Sequence, residues 1–506
     1  MSFNVSIRAT SITVRPGRES LLPLAPLLDM HEYEDEYQEV TKVLGYMLDE
    51  EHDVLYLHKG VDIDYLRRLL RDVEFSYDPY DPYKEMNYQF EEAFPPRDED
   101  QESAINFIAG EHEYASNAKD QQIFLVLKTG AGKTYCAGNA AGKLGLKTLI
   151  IMHRDNLRLQ WMKSLYDLNG YSSREVYELT SSTELEAIAN GDLTLDYDIY
   201  LMTHATFQAA CNRIRDCEKI HNITKNLHIG FKIIDEAHLY FRDTLLIDFL
   251  FNVRRNLYLT ATDGRSSKDE DAIFRHVFSN TTFYRKQPTA SKHPDKWVEY
   301  ITVDINTHCK PNIYKYRVNG GRGMSAVTYG KWVIQYDKKQ THFKVCRDIL
   351  KEIYSKEPSA KVLVFMPLID LCTDCAYFLN MELGNDESFE YSLDIKTVNS
   401  HNSKSENEYN KRADVIVTTV QSLGTGSDIK GITDIIICSP IVSKIVVKQV
   451  LGRIRYIPKP CHYYDIVDVS VPMDRHWWSS RKRTLESMTT RYSHIAWSEE
   501  ETHDGD

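Results

Sequence analysis

The chain has 506 residues, enough for about three domains and a sizeable core. It is 42% hydrophobic and 27% charged, as globular proteins are, and has no run of about 18 apolar residues to cross a membrane. A net charge of −13 excludes a globally basic nucleic-acid binder but leaves room for a local basic groove.

Residues 1–90 read as a small α+β accessory domain. Asn4 to Val14 alternates apolar and polar like a strand, and Asp29 to Asp53 is strongly acidic. Asp53 to Leu57 reads as a strand and Ile63 to Val73 as a short helix. Tyr77 to Tyr83, YDPYDPY, predicts a turn-rich linker. Two readings stay open: an appendage packed on the next domain, or a module that recognises substrate.

From Phe94 the pattern changes. Arg97 and Gln101 precede a helix over Glu102 to Ile108. Strand-like runs then recur at Ile123–Leu127, Thr148–Met152, Ile199–Met202, Phe231–Ile234 and Leu257–Leu259. A second series follows at Lys361–Phe365, Ile395–Val398, Val415–Thr418, Asp434–Cys438 and Asp465–Val469. Helical stretches between most of them predict βαβ units and two parallel sheets covered on both faces. The expected boundaries are 91–265 for the first lobe, 266–335 for a connection and 336–470 for the second lobe, with 471–506 as a tail. Gly320-Gly321-Arg322-Gly323 marks a flexible loop in the connection. No internal repeat is visible in the sequence.

Nine cysteines without framework spacing suit a reducing compartment, and MSFNVSIRATS lacks the apolar core of a signal peptide. The expected location is cytoplasmic. Cys372-x-x-Cys375 has no second pair, so a helix is its expected context rather than a metal site.

Ile123 to Thr134, IFLVLKTGAGKT, joins a buried strand to a Gly-rich turn, a Lys-Thr pair and a helix. That is the phosphate-cradling arrangement of a P-loop. Glycines let backbone N–H groups approach phosphate closely, and the helix N-terminus favours anions. Lys133 would neutralise the β- and γ-phosphates, and Thr134 would ligate Mg²⁺. Leu127 stands where the strict pattern has Gly, so the match is to x-x-T-G-x-G-K-T.

Phe231 to His238 is a strand ending in Asp235-Glu236-Ala237-His238. Strand ends of a parallel sheet open onto the ligand crevice. Asp235 would hold Mg²⁺ there, and Glu236 would polarise the attacking water. The Gln101 amide could pair with adenine, or lie on a helix surface. Trp161 could stack a base, or be buried. Trp477-Trp478 beside Arg481-Lys482-Arg483 offers stacking and phosphate contacts, or a packing anchor for the tail.

Over residues 94–470 this series of motifs resembles superfamily 2 DNA/RNA helicases of the DEAH type. It is most similar to the viral and phage branch that includes the phage UvsW branch-migration helicase and the poxvirus transcript-release helicase; the XPB-like helicases are more distant. Thr129 to Thr134 resembles motif I, and Leu149 to Trp161, with His153 in place of the usual Pro, resembles motif Ia. Asp235 to His238 resembles motif II, and Leu259-Thr260-Ala261-Thr262, followed by Asp263 where relatives often have Pro, resembles motif III. Lys361 to Pro367 resembles motif IV; Thr418-Thr419 with Gly424 to Asp428 resembles motif V; Gln449 to Arg455 resembles motif VI.

The resemblance implies two RecA-like lobes in tandem that use ATP and Mg²⁺. It implies nucleotide contacts from Gln101, Thr129, Gly130, Ala131, Gly132, Lys133, Thr134, Gly426 and Asp428. Catalysis would fall to Lys133, Asp235, Glu236, His238, Gln449, Arg453 and Arg455, with Thr134 and Asp235 on the metal. Gln160, Trp161, Thr203, Thr260, Thr262 and Thr419 would touch nucleic acid or couple its movement to hydrolysis. Motif VI departs from the common G-R-x-x-R: here it reads Gly452-Arg453-Ile454-Arg455, with Arg453 favoured as the arginine finger and Arg455 assisting.

The implied activity is an ATP-dependent DNA helicase or translocase that unwinds or branch-migrates forked or branched DNA in recombination, repair or replication. Alternatives are a motor on RNA or transcription complexes, and the motor subunit of a restriction-type assembly. Expected partners are DNA, with RNA as the alternative, and replication or recombination proteins; a monomer is expected, and a viral origin would place it in the host cytoplasm.

Overall fold

A computed structural model of the protein describes residues 2–29, 32–35, 41–78, 80–91, 93–111, 122–127, 130–153, 155–237, 241–261, 268–285, 296–309, 325–387, 389–423, 429–441 and 443–498. The chain divides into two compact units, residues 1–287 and 288–506.

The first unit begins with a small mixed sheet. Its strands are β1 (Phe3–Ile7), β2 (Ser11–Arg15), β5 (Tyr46–Asp49), β6 (Val54–His58) and β7 (Val73–Tyr77), in the order β5-β6-β2-β1-β7; β3 (Glu32–Asp35) and β4 (Thr41–Leu44) form a separate hairpin. The alternation from Asn4 to Val14 thus resolves into two antiparallel strands, β1 and β2. Helices Gly17–Leu28 and Ile63–Leu69 cover the sheet with Leu24, Leu27 and Leu66. Asp62 starts the second helix by accepting from the amides of Asp64 and Tyr65.

This sheet is packed on the lobe that follows. Arg8 donates to the Phe249 carbonyl at 3.2 Å and the Thr10 hydroxyl to the Asp248 carbonyl at 2.7 Å. These carbonyls end the helix Phe241–Leu250, where the helix itself supplies no partners. Val54 and Tyr56 join the apolar core of the lobe. Residues 1–90 thus pack on the lobe, and that packing is compatible with either reading of their role.

The expected linker is a strap. The Asp81 amide donates to Asn252, the Lys84 amide to His228 and the Met86 amide to Gly145; the amides of Asn87 and Tyr88 donate to the Asp198 carboxylate. Each acceptor lies just before a strand of the next sheet. The strap therefore crosses the N-terminal ends of those strands and leaves their C-terminal ends clear.

That sheet has seven strands: β8 (Gln122–Val126), β9 (Thr148–Met152), β10 (Val176–Leu179), β11 (Ile199–Thr203), β12 (Phe231–Ile234), β13 (Arg255–Thr260) and β14 (Thr282–Arg285). The order is β10-β11-β9-β12-β13-β8-β14, and every pair is parallel. Apolar runs on its central strands are buried on both faces by the crossover helices, as parallel pairing requires. One charged pair sits inside: Lys232 Nζ lies 2.6 Å from Asp248 Oδ1, and the Tyr258 hydroxyl donates to Asp248 Oδ2 at 2.8 Å.

The second unit has another seven-stranded parallel sheet. Its strands are β15 (Val298–Ile305), β16 (Val362–Met366), β17 (Ile395–Val398), β18 (Val415–Thr419), β19 (Asp434–Ile437), β20 (Cys461–Asp468) and β21 (Arg491–Ala496), in the order β17-β18-β16-β19-β20-β15-β21. Together with the small N-terminal sheet, this is the expected pair of RecA-like lobes.

Several elements lie where the sequence predicts a connection or a tail. β14 completes the first sheet; β15 and the helix Ala326–Tyr336 belong to the second lobe. β21 pairs with β15, and the helix Pro472–Met488 packs beside it. Their polar-interrupted sequences, TFYR, VEYITVDI and RYSHIA, hide the strand pattern.

In the tryptophan–arginine cluster of that tail, Trp477 and Arg481 are packing anchors. Trp477 sits in the core, and Arg481, 1% exposed, is bound through Nε and Nη2 to Asp465 at 2.8–3.1 Å. Cys372 and Cys375 are buried in the helix Ile369–Gly384, and among the described residues no group of His, Cys, Asp and Glu could hold a metal ion. No helix among them is long and apolar enough to cross a membrane.

Candidate nucleotide site

The site forms at the C-terminal ends of β8, β12 and β13. β8 runs into a turn in which Gly130 and Gly132 hold φ of +82° and +90°, values that suit glycine. A Cβ at Gly132 would lie 2.4 Å from Gln101 Nε2, so a side chain there is excluded twice over. The helix Lys133–Leu144 then begins with no side-chain cap and no acidic residue in its first turn. Its N-terminal amides face a dipole suited to an anion.

Lys133 Nζ lies 3.6 Å from Glu236 Oε1 and 3.5 Å from the Leu127 carbonyl. The P-loop and the Asp-Glu turn after β12 are therefore in contact. Glu236 has φ +50°, the left-handed region that costs a non-glycine residue about 1–3 kcal/mol. Strain of this kind clusters at active sites and ligand clamps.

Asp235 is 6% exposed, and Oδ2 accepts the indole N–H of Trp161 at 2.9 Å. Burial, then the neighbouring Glu236 charge, pushes its carboxyl up to about 6; Lys133 and the indole pull the other way. Trp161 is fully buried and has no free face to stack a base. Its burial was readable: Leu157, Trp161 and Leu165 recur every four residues along one face of the helix Asp155–Asp167.

The Gln101 amide is occupied by the protein. Oε1 accepts from the Arg97 amide at 2.9 Å, and Nε2 donates to the Ala131 carbonyl of the P-loop at 3.1 Å. The residue braces the phosphate turn. An all-oxygen pair, Asp235 and the Thr134 hydroxyl at the helix start, fits Mg²⁺, which takes few protein ligands and completes its shell with water and phosphate.

Three of the expected threonines end strands. Thr203 ends β11 and caps the next helix through the Thr206 amide; Thr260 ends β13 and is fully buried; Thr419 ends β18 and accepts from the Ser422 amide. Thr203 also lines an open groove of about 610 Å³ with His153, Arg158, Ser181 and Thr206. Ser181 and Thr203 each cap a helix N-terminus there, and Arg158 Nε is 2.7 Å from Glu178. Arg158 lies inside the motif Ia segment without being singled out in it, and Ser181 stands in no recognised motif. Gln160 is exposed on the same helix as Arg158. Beneath the groove, burial and then His153 lower the His204 imidazole to about 3.

In the second unit, Gln449 is buried on the helix Lys444–Leu451; Arg453 is half-buried just past its end and Arg455 is exposed. Thr129, His238, Thr262, Gly426 and Asp428 lie outside the described residues.

A family profile described as "Type III restriction enzyme, res subunit" matches residues 94–265, the stretch that holds this site. The chain is 24% identical over 370 residues to a protein of Invertebrate iridescent virus 6 named "Putative helicase 161L", covering 71% of this chain and 75% of the relative. Among solved structures, Mss116p bound to ssRNA and AMP-PNP superposes with a TM-score of 0.53 at 15% identity, covering 80% of this chain and 76% of that one. Dbp5 of S. cerevisiae, bound to RNA and ADP BeF3, gives 0.52 at 11% identity, covering 78% and 89%. At such identities the structures speak to the two-lobe fold alone, while the profile and the viral relative speak to kind. The profile and the viral relative support an ATP-dependent enzyme of the helicase kind.

Proposed function

We propose that the chain hydrolyses ATP at the C-terminal edge of the first sheet and uses the cycle to unwind or branch-migrate forked or branched DNA. The observation that carries the hydrolytic part is the 3.6 Å contact between Lys133 and Glu236. It joins a phosphate-binding cation to a carboxylate suited to orienting water. Bound phosphate would draw the Lys133 ammonium toward itself and release Glu236 to hold the attacking water. Asp235 and Thr134 would hold Mg²⁺, which would supply positive charge to offset that of the phosphates. Arg453, with Arg455 and Gln449 beside it in sequence, is the second lobe's candidate for charge on the transferred phosphoryl group. His238 completes motif II in the same reading.

The groove lined by Arg158, Ser181 and Thr203 supports the nucleic-acid part. Two capped helix N-termini and a guanidinium offer donors to a phosphodiester backbone without reading its bases. Gln160, Thr260 and Thr419 are assigned contact or coupling roles on their motif positions; Trp161 is not assigned a base. Residues 1–90 are proposed as an accessory domain, with 91–265 and 336–470 as the lobes that carry the motifs.

The test is ATP turnover without nucleic acid and with single-stranded DNA, duplex, fork, four-way junction and RNA. Stimulation strongest on forks and junctions is expected. Stimulation by RNA alone would overturn the DNA reading in favour of an RNA or transcript-release motor. The restriction-subunit profile favours one further reading, a motor that works within a restriction-type assembly; co-purification with a nuclease or methyltransferase would support it.

A further inference from the structure

The helix Asp155–Asp167 carries two side chains with different addresses. Arg158 lines the open groove. Three residues on, Trp161 is fully buried and donates its indole N–H to Asp235 at 2.9 Å. Indole has one donor and no acceptor, so this bond can only stabilise and orient the carboxylate. It takes Oδ2 and leaves Oδ1 on the other side of the group. The Asp235 amide is bound as well, to the Ile151 carbonyl at 2.8 Å. Both contacts come from the β9 strand and the helix that follows it, the same segment that walls the groove.

We propose that Trp161 is a positioning residue: it holds Asp235 in the orientation that takes Mg²⁺ and, through its helix, ties that orientation to nucleic acid in the groove. The proposal rests on reading Asp235 as the magnesium ligand. Partners of this kind, one step out from the ion, set the direction and basicity of the ligand they hold. Burial alone would not require an indole here. A phenyl ring would fill the core but leave the Asp235 oxygen without its donor.

The test compares wild type with Trp161→Phe and with benzothienylalanine at 161, which keeps the indole shape and replaces N–H by sulfur. Affinity for a fluorescent ADP is measured across a Mg²⁺ titration. ATP turnover is then measured with and without oligothymidylate, and thermal midpoints confirm folding. For both variants the half-saturating Mg²⁺ should rise about 10–100-fold. Metal-free ADP affinity should stay within about twofold, and stimulation by the oligonucleotide should fall with the metal affinity. A benzothienylalanine protein with wild-type Mg²⁺ half-saturation and stimulation overturns the proposal. So does an equal loss of metal-free affinity, which would mean a damaged pocket. Lys133→Ala separates the two levels: if it hydrolyses ATP normally, the site reading itself has failed.

Discussion

Strand for strand, the first lobe (β10-β11-β9-β12-β13-β8-β14) and the second (β17-β18-β16-β19-β20-β15-β21) run in the same order, β8 matching β15 and β12 matching β19. Each buries one carboxylate between a cation and a tyrosine: Asp248 with Lys232 and Tyr258, Asp465 with Arg481 and Tyr300. The lobes part at the loops. β8 runs into Gly130-Ala131-Gly132-Lys133, but β15 runs into Asn306-Thr307, where the Thr307 hydroxyl is bonded to Asp468 at 2.6 Å. β12 ends in Asp235-Glu236, but β19 ends in Cys438-Ser439. One scaffold thus carries two sets of loops, and chemistry follows the loops rather than the sheet.

Four changes press on this comparison. Glu236→Gln alters a first-lobe loop alone; turnover should fall about 100- to 10,000-fold while the thermal midpoint of the chain holds. Arg481→Leu alters the second scaffold alone. It strands Asp465 and Asp474 in the core, and denaturant unfolding should report a loss of about 3–5 kcal/mol. Arg8→Ala removes the cation that caps the helix Phe241–Leu250. About 1.5–3 kcal/mol should be lost, seen as faster hydrogen exchange at 241–252 with nucleotide affinity held.

The smallest effect should have opposite signs in the two lobes. His204 in the first is lowered by burial, so its contribution is present above 6.5 and is lost as pH falls through that value toward 3. His342 in the second is lowered by burial too, but its bond to Asp337 at 2.7 Å together with the charges of Asp337, Asp468 and Asp474 outweighs burial and raises it. Its contribution is full below 6.5 and is lost as pH rises through the raised value. Lowering pH from about 7.5 to about 5.5 should cost the helix His204–Ile214 about 1 kcal/mol of protection and strengthen Thr341–Lys356. Both helices moving together would contradict the assignment.

Central strands were legible because an apolar run with β-branched residues has one comfortable place, between two helical layers. β10, β14, β15 and β21 were not, since short or polar-interrupted strands depend on a neighbour already in place. The repeat of strand order was invisible for the same reason: it lies in pairing, not in residue identity. Lys133, Asp235 and Glu236 stood out because phosphate chemistry restricts residue type and spacing together. Trp161 and Arg481 stayed open between ligand contact and packing because an aromatic or a guanidinium suggests a ligand. The four-residue recurrence that buries each of them carried the better information.

The most direct test is ATP turnover by wild type and Lys133→Ala, at saturating nucleic acid and with thermal midpoints measured on the same samples. The structure predicts that the variant folds as wild type does and loses hydrolysis about 100-fold or more. A folded Lys133→Ala protein that turns over ATP at the wild-type rate would contradict the account at its centre.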